Sequence, residues 1–300
     1  MKKNKAYIGF IAPGFILYTL FMIVPIFCAI YYSFFKWNGI GPMEYVGFGN
    51  FETLLFNPRM SRIFFNALGN NIKYLMCVWF IITPIQFFFA YCLYMKIKAH
   101  RYIRFMLFLP YVVSTSIVGF FSILIFDPNI GLLNNLLATF HLADLQNAWL
   151  GDPSKVFTIF VCVVIWQAIG SGMMIFYANM KEISNDIIEA ATLDGVNQRQ
   201  KFFYIVLPQC IASILTNVVL GTIFALTIFD IPFMLGGPGG GVNNKIDFVN
   251  MVFYRYAFGG SYFGETSLGF GSAISVLMFI VIMAAYLIQQ AILKRHEFEQ

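Results

Sequence analysis

The chain has 300 residues, of which 59% are hydrophobic, 19% aromatic and only 11% charged, with a mean hydropathy of +0.75. This excludes an ordinary soluble domain, in which charged residues make up about a quarter of the total. The formal net charge of +5 sits on residues that flank apolar runs, so it reads as membrane topology and not as a nucleic-acid footprint.

A helix needs roughly 20 apolar residues to cross a hydrocarbon core of about 30 Å. Six segments qualify, approximately Ile8–Phe35, Ile72–Met95, Ile103–Phe126, Val156–Ala178, Leu207–Phe229 and Phe270–Leu293. The expected fold class is therefore all-α, a polytopic membrane protein with six transmembrane helices. The first segment follows a basic start, but it is too long for a secretion-signal core and lacks a convincing small-residue cleavage site before Tyr31-Tyr32. It reads as a retained helix that tolerates Pro13 and Pro25.

The link Lys36–Asn71 is rich in aromatics. Its residues Phe51, Leu54, Leu55 and Phe56 predict a short helix lying on the membrane surface and bounded by Pro58. Between the fourth and fifth spans lies a polar island. Asp186 and Glu189 have capping-box spacing, with Asp in place of Ser or Thr, so a helix is expected to start near Ile187. Ala190 and Ala191 give that helix little bulk, and Gly195 can close it in the left-handed conformation. Asn197 and Gln200 supply a second start signal. Pro208 lacks an amide hydrogen and disfavours helical geometry at Leu207, so a bend is expected there. After the fifth span, Ile231–Gly269 is expected to be a loop holding Gly236-Gly237-Pro238.

Six spans place both termini on one side. Of the basic residues, 12 fall on that side and 7 on the other, which predicts cytoplasmic termini and a cytoplasmic Glu189 elbow. Cysteines 28, 77, 92, 162 and 210 lie in or beside apolar spans without a CxxC pair and read as packing residues. His100, His141 and His296 are too scattered for a metal site. No GxxxxGK[ST] phosphate loop is present, so no nucleotide or other cofactor is expected in this chain.

Polar groups inside spans are costly unless buried or wetted, and so are candidates for a pathway. They are Gln86 in the second span, Trp166 and Gln167 in the fourth, Asn217 in the fifth and Asp230 at its far end. Amides and carboxylates suit sugar hydroxyls, and an indole suits the apolar face of a pyranose. The competing reading of the amides is an interhelical hydrogen bond that only packs the bundle. For Asp230 it is a solvated interface residue. Placed at the C-terminus of a helix, Asp230 would oppose the macrodipole and need a compensating partner.

The run Glu189-Ala190-Ala191, three residues, Gly195, nine residues, Ile205, one residue, Leu207-Pro208 resembles the cytoplasmic signature of ABC importer permeases. Asp194 before the glycine and Phe202 or Phe203 before the isoleucine resemble the binding-protein-dependent sugar branch, of the maltose and glycerol-phosphate type. The runs Val46 to Phe51, Asn57-Pro58, Asn70, Phe229-Asp230 and Gly236-Gly237-Pro238 resemble that branch too, so the likeness covers nearly the whole chain. It departs at Leu235, where a threonine usually precedes the double glycine.

The resemblance implies a type I ABC importer transmembrane domain: one permease domain over 1–300, with a core of about 68–293, a first helix and external loop in 1–67 and a cytoplasmic coupling loop in 182–208. It implies a permease subunit and not an enzyme. The implied partners are a second homologous permease, two ATP-binding cassette subunits that hold ATP and Mg, an extracytoplasmic solute-binding protein and the plasma (inner) membrane of a bacterium or archaeon. In the family the loop docks on the ATPase, which assigns Glu189, Ala190, Ala191, Asp194, Gly195, Ile205, Leu207 and Pro208 to coupling. The implied cargo is a sugar or oligosaccharide, with glycerol phosphate or a polyol as alternatives. The rival class is an ion-coupled secondary transporter, which often shows deep charges or inverted repeats with broken helices. Here the span interiors are nearly free of charge.

Overall fold

The computed structural model describes residues 6–259 and 266–297, which are almost entirely helical. Lys2, Lys3 and Lys5 of the charge count lie outside the described residues. In chain order the helices are α1 Ala6–Tyr18, α2 Val24–Tyr32, α3 Gly49–Phe56, α4 Pro58–Cys77, α5 Thr83–Tyr94, α6 His100–Val112, α7 Thr115–Ile125 and α8 Leu132–Thr139. There follow α9 Val156–Lys181, α10 Asn185–Leu193, α11 Gln198–Lys201, α12 Leu207–Gln209, α13 Ile211–Thr227, α14 Asp230–Gly236, α15 Val249–Phe258 and α16 Leu268–Glu297. A two-residue antiparallel pair, β1 Phe35–Lys36 with β2 Glu44–Tyr45, is the one exception to an all-α architecture among the described residues.

Five continuous stretches are long and apolar enough to cross a membrane: Gly9–Tyr32, Pro58–Tyr94, Val156–Lys181, Ile211–Gly236 and Leu268–Ile292. The third expected span is broken, because α6 and α7 meet at 99°. Pro110 removes an amide from the last turn of α6, Val113 turns extended (φ −75°, ψ 136°), and Ser114 takes the N-cap position of α7. The second span starts further out than Ile72, since Pro58 opens α4 where its missing amide costs nothing. Likewise α14 and α15 replace much of the expected Ile231–Gly269 loop.

Three wide π-turns, Thr19–Ile23, Val78–Ile82 and Phe202–Val206, each end two residues before a proline: Pro25, Pro84 and Pro208. A proline cannot donate to the carbonyl four residues back, and its ring presses on that carbonyl. Those carbonyls belong to Phe21, Phe80 and Tyr204, all inside the wide turns. The residue before each proline donates five residues back instead: Val24 to Thr19, Thr83 to Val78, and Leu207 to Phe202. The helix thus stays hydrogen-bonded through the proline. At Pro208 this keeps Leu207 helical (φ −59°, ψ −48°), against the expectation for that residue, and the helix is interrupted instead at Cys210 (φ −94°, ψ 0°), between α12 and α13.

Packing divides the chain into two compact units: Met1–Phe65 with Val252–Val281, and Asn66–Met251 with Ile282–Gln300. In the first unit Asn50 is buried and its Nδ2 donates to the carbonyls of Ser33 (2.8 Å) and Phe35 (3.0 Å), tying α3 to the β1 entry. Leu54 of α3 is also buried, and Pro58 opens α4 directly after α3, where the sequence placed its boundary.

In the second unit one apolar core gathers Tyr74, Val78, Val118, Phe160, Val164, Ile231 and Phe248. Gly170 lets α9 approach the α6 backbone, since a Cβ there would meet the Leu107 carbonyl at 2.8 Å. Asn71 is fully buried; its Nδ2 donates to the carbonyls of Ala225 (2.9 Å) and Leu226 (3.2 Å), and its Oδ1 accepts from the Val249 amide (3.1 Å). It therefore joins α4 to the end of α13 and the start of α15. Replacing Asn71 by Ala should cost about 1–3 kcal/mol through the stranded backbone groups. The readout is a lower melting temperature of the purified protein in detergent, with exposed Lys73→Ala as the unaffected control; an unchanged midpoint would mean the three bonds add nothing net.

Candidate functional site

The polar island forms two short helices joined at Gly195. α10 starts at Asn185, two residues earlier than expected, because Ser184 is the N-cap and its hydroxyl accepts from the Asp186 amide at 3.2 Å. Asp186 falls in the first turn, where a negative charge favours the helix. Gly195 (φ +75°) closes α10: its amide donates to Thr192 O (3.1 Å) and that of Val196 donates to Ala191 O (3.0 Å). This is the paired Schellman closure. α11 opens with the capping box expected from the sequence, Gln200 N to Asn197 Oδ1 at 3.0 Å and Asn197 N to Gln200 Oε1 at 2.9 Å.

An apolar cluster fastens this elbow to the bundle. Phe87, Ala90 and Leu93 of α5, Met173, Phe176 and Met180 of α9, and Ile183 and Val206 are all buried in it, with Ile188, Phe202 and Leu207 packed against it. Phe202 meets Tyr91 and Phe87 edge-on with ring centroids 4.7 and 5.7 Å apart. The Tyr91 hydroxyl also donates to Gln198 O at 3.1 Å.

Ala191 is buried against the protein, whereas Asp186, Glu189, Ala190 and Leu193 are exposed along one helical face, Leu193 at 89%. Asp194, Gly195 and Pro208 are exposed as well, and Ile205 and Leu207 half-buried. So Glu189 and Ala190 share the open face, Ala191 is turned inward, and Leu207 packs against the apolar cluster. The sequence pattern gave no sign of Lys201, which is buried at 7% exposure with its Nζ donating to Thr192 Oγ1 at 2.7 Å.

The intramembrane polar residues separate into two groups. Gln86 is buried; its Nε2 donates to Ala168 O (2.7 Å) and its Oε1 accepts from Asn217 Nδ2 (3.2 Å). Gly172 leaves the space for it, as a Cβ there would run into the Gln86 amide. Gln86 and Asn217 thus tie α5, α9 and α13 together, as the packing reading of the amides expects. A second tie, unread from the sequence, joins the same region: Thr222 Oγ1 accepts from Trp79 Nε1 (3.0 Å) and Gln289 Nε2 (2.7 Å).

Gln167 sits at the broken third span. Its Nε2 donates to the freed carbonyl of Val113 at 3.3 Å, with Thr115 Oγ1 at 3.5 Å. Trp166 beside it is 54% exposed. Asp230 is exposed at the first residue of α14, not at a helix C-terminus. Ile228 turns extended (ψ 137°) and ends α13 two residues earlier, so the α14 macrodipole favours the carboxylate. Among the described residues no group of three or more His, Cys, Asp and Glu is placed to hold a metal ion.

Residues 82–297 match the family described as binding-protein-dependent transport system inner membrane component. The chain is 30% identical to the probable ABC transporter permease protein YurN of Bacillus subtilis, over 95% of this chain and 94% of that one. It is 26% identical to the multiple sugar-binding transport system permease protein MsmF of Streptococcus mutans, over 96% and 95%. Among solved structures, a chain of a bacterial ABC transporter involved in the import of the acidic polysaccharide alginate superposes with a TM-score of 0.82 at 19% identity, covering 98% of this chain and 96% of that one, so the fold is shared. The family match over most of the chain, the near-full-length relative and the common helical fold agree: this chain belongs to the binding-protein-dependent transport system inner membrane components, as a permease subunit with the type I importer fold.

Proposed function

We propose that this chain is one of two membrane-spanning subunits of an ATP-driven importer that takes up a sugar or oligosaccharide delivered by an extracytoplasmic solute-binding protein. The observation that carries the reading is the elbow, a doubly capped pair of short helices with one open face and an apolar anchor on α5 and α9. Two separate ATP-binding cassette subunits, holding ATP and Mg, close on nucleotide binding and push on the face of Asp186, Glu189, Ala190 and Leu193. The anchor passes that push to the spans, which rock as a body between inward- and outward-facing states. The sugar-transporting Streptococcus relative supports the cargo.

The most apolar window of the first span has 0% of its residues buried within this chain, which leaves that helix open to lipid and to a second permease. The basic-residue count supports cytoplasmic termini in the plasma membrane of a bacterium or archaeon. Along the pathway Trp166 offers an aromatic face and Asp230 a carboxylate, while Gln167, next to Trp166, holds the bend. Gln86 and Asn217 spend their amides on the bundle itself.

Purification in mild detergent is expected to bring along an ATPase and a second permease; a lone oligomer without ATPase would overturn the proposal in favour of ion-coupled flux. In proteoliposomes, Glu189→Lys should lower ATP-driven uptake by about tenfold or more by reversing a charge at the docking face. Wild-type uptake in that variant would remove Glu189 from coupling. Asp230→Ala and Trp166→Ala should each lower the uptake rate about tenfold at saturating binding protein, the factor expected for removing one charged hydrogen bond or one aromatic stacking face. Wild-type rates in both, with normal amounts in the membrane, would move the pathway elsewhere.

A further inference from the structure

Lys201 has no place in the docking face or the pathway, yet a lysine at 7% exposure needs a reason. Its Nζ reaches back across Gly195 to Thr192 Oγ1 at 2.7 Å, and that hydroxyl donates to Ile188 O at 2.6 Å. The ammonium therefore lies at the C-terminal end of α10, where the helix dipole favours a cation. Among the described residues this is the one side-chain-to-side-chain hydrogen bond that links the two arms of the elbow.

The arms are otherwise closed separately, α10 by its Schellman bonds and α11 by its capping box. Between them stands Gly195, around whose Cβ position nothing lies within 4 Å. Glycine is permissive at this point, and across it run one backbone bond, Val196 N to Ala191 O, and the apolar cluster that Ile188 and Phe202 share. A push on α10 can still be absorbed in part by rotation at the glycine unless a further link stiffens the joint.

We propose that Lys201 is a positioning residue for energy coupling: by bridging α11 to Thr192 it sets the angle of the elbow, so that displacement of α10 reaches α13 and α5 and is not dissipated at Gly195. The proposal rests on the importer reading and adds a part to it. The partner chemistry is contained in this chain, an ammonium on a hydroxyl, and needs no ligand.

The experiment uses the whole complex with its binding protein in proteoliposomes, and measures ATP hydrolysed and sugar taken up in the same vesicles. Lys201→Met keeps the aliphatic stem and removes the ammonium; Thr192→Val keeps the shape and removes the hydroxyl. Each is expected to raise ATP consumed per sugar imported by roughly threefold or more, the factor that corresponds to one hydrogen bond of ordinary net strength. The double variant should be no worse than either single one, and Lys201→Arg should restore most of the ratio. An unchanged ratio in both single variants overturns the proposal, even if their melting temperatures fall, because that would be a structural role only. Loss of the copurifying ATPase in Lys201→Met also overturns it, by making Lys201 part of docking. Absence of ATP-driven uptake in the wild-type complex would instead bring down the importer reading itself.

Discussion

The rest of this structure follows from one constraint: in hydrocarbon a backbone amide or carbonyl has no water to turn to. A proline inside or at the mouth of a span leaves a gap to be repaired locally, and this chain does so in the same manner at three of its prolines. A five-residue π-turn precedes Pro25, Pro84 and Pro208, and the residue before each proline bonds five residues back. Where the helix truly breaks, at Val113 and Ser114, a side chain takes over. Gln167 donates to the Val113 carbonyl, so the 99° bend between α6 and α7 has its polar backbone answered from α9. The asparagines act in the same sense, with Asn71 serving two carbonyls and one amide where α4, α13 and α15 meet.

The elbow solves a different problem, that of being stiff while exposed. Short helices in water are marginal, and nine- and four-residue helices have too few internal bonds to hold alone. Here every end is closed. Ser184 starts α10, Gly195 and Val196 finish it, and Asn197 with Gln200 starts α11. The apolar cluster around Phe87, Phe176 and Phe202 then makes the elbow continuous with α5 and α9. A force on the open face meets packed aromatic side chains within one turn, and close-packed interiors transmit strain and do not yield to it.

Most of this was legible in the sequence where the signal is local. Apolar run length disclosed the spans, the glycine spacing disclosed the α10 closure, and Asn197 with Gln200 disclosed the capping box. The departures come where a distant group or a neighbouring residue changes the local balance. Ser184 outcompetes Asp186 for the cap because it stands just ahead of the helix. Leu207 stays helical ahead of Pro208, since a π-turn is invisible to a rule that counts only α-helical bonds, and the interruption falls at Cys210 instead. The break at Val113 is stabilised by Gln167, 54 residues further on, and no local pattern records that. Asp230 sits at a helix start because Ile228 turns extended and ends α13 two residues earlier, inside an apolar run that looked continuous.

The polar side chains of the spans can then be sorted by what they already hold. Gln86 uses both ends of its amide, one on Ala168 and one on Asn217, and Gly172 is shaped around it. A group so engaged would have to surrender two bonds before it could hold a solute hydroxyl, which makes it a poor partner for a cargo that must bind and leave. Trp166 and Asp230 are in the opposite condition: one presents half of an indole, the other a carboxylate at a helix start that favours its charge. Transport needs sites that are weak enough to release, and exposed groups whose water is readily exchanged meet that need better than a buried lock. Under the proposed function the locks keep the bundle rigid while it rocks, and the few open groups are left to meet the sugar.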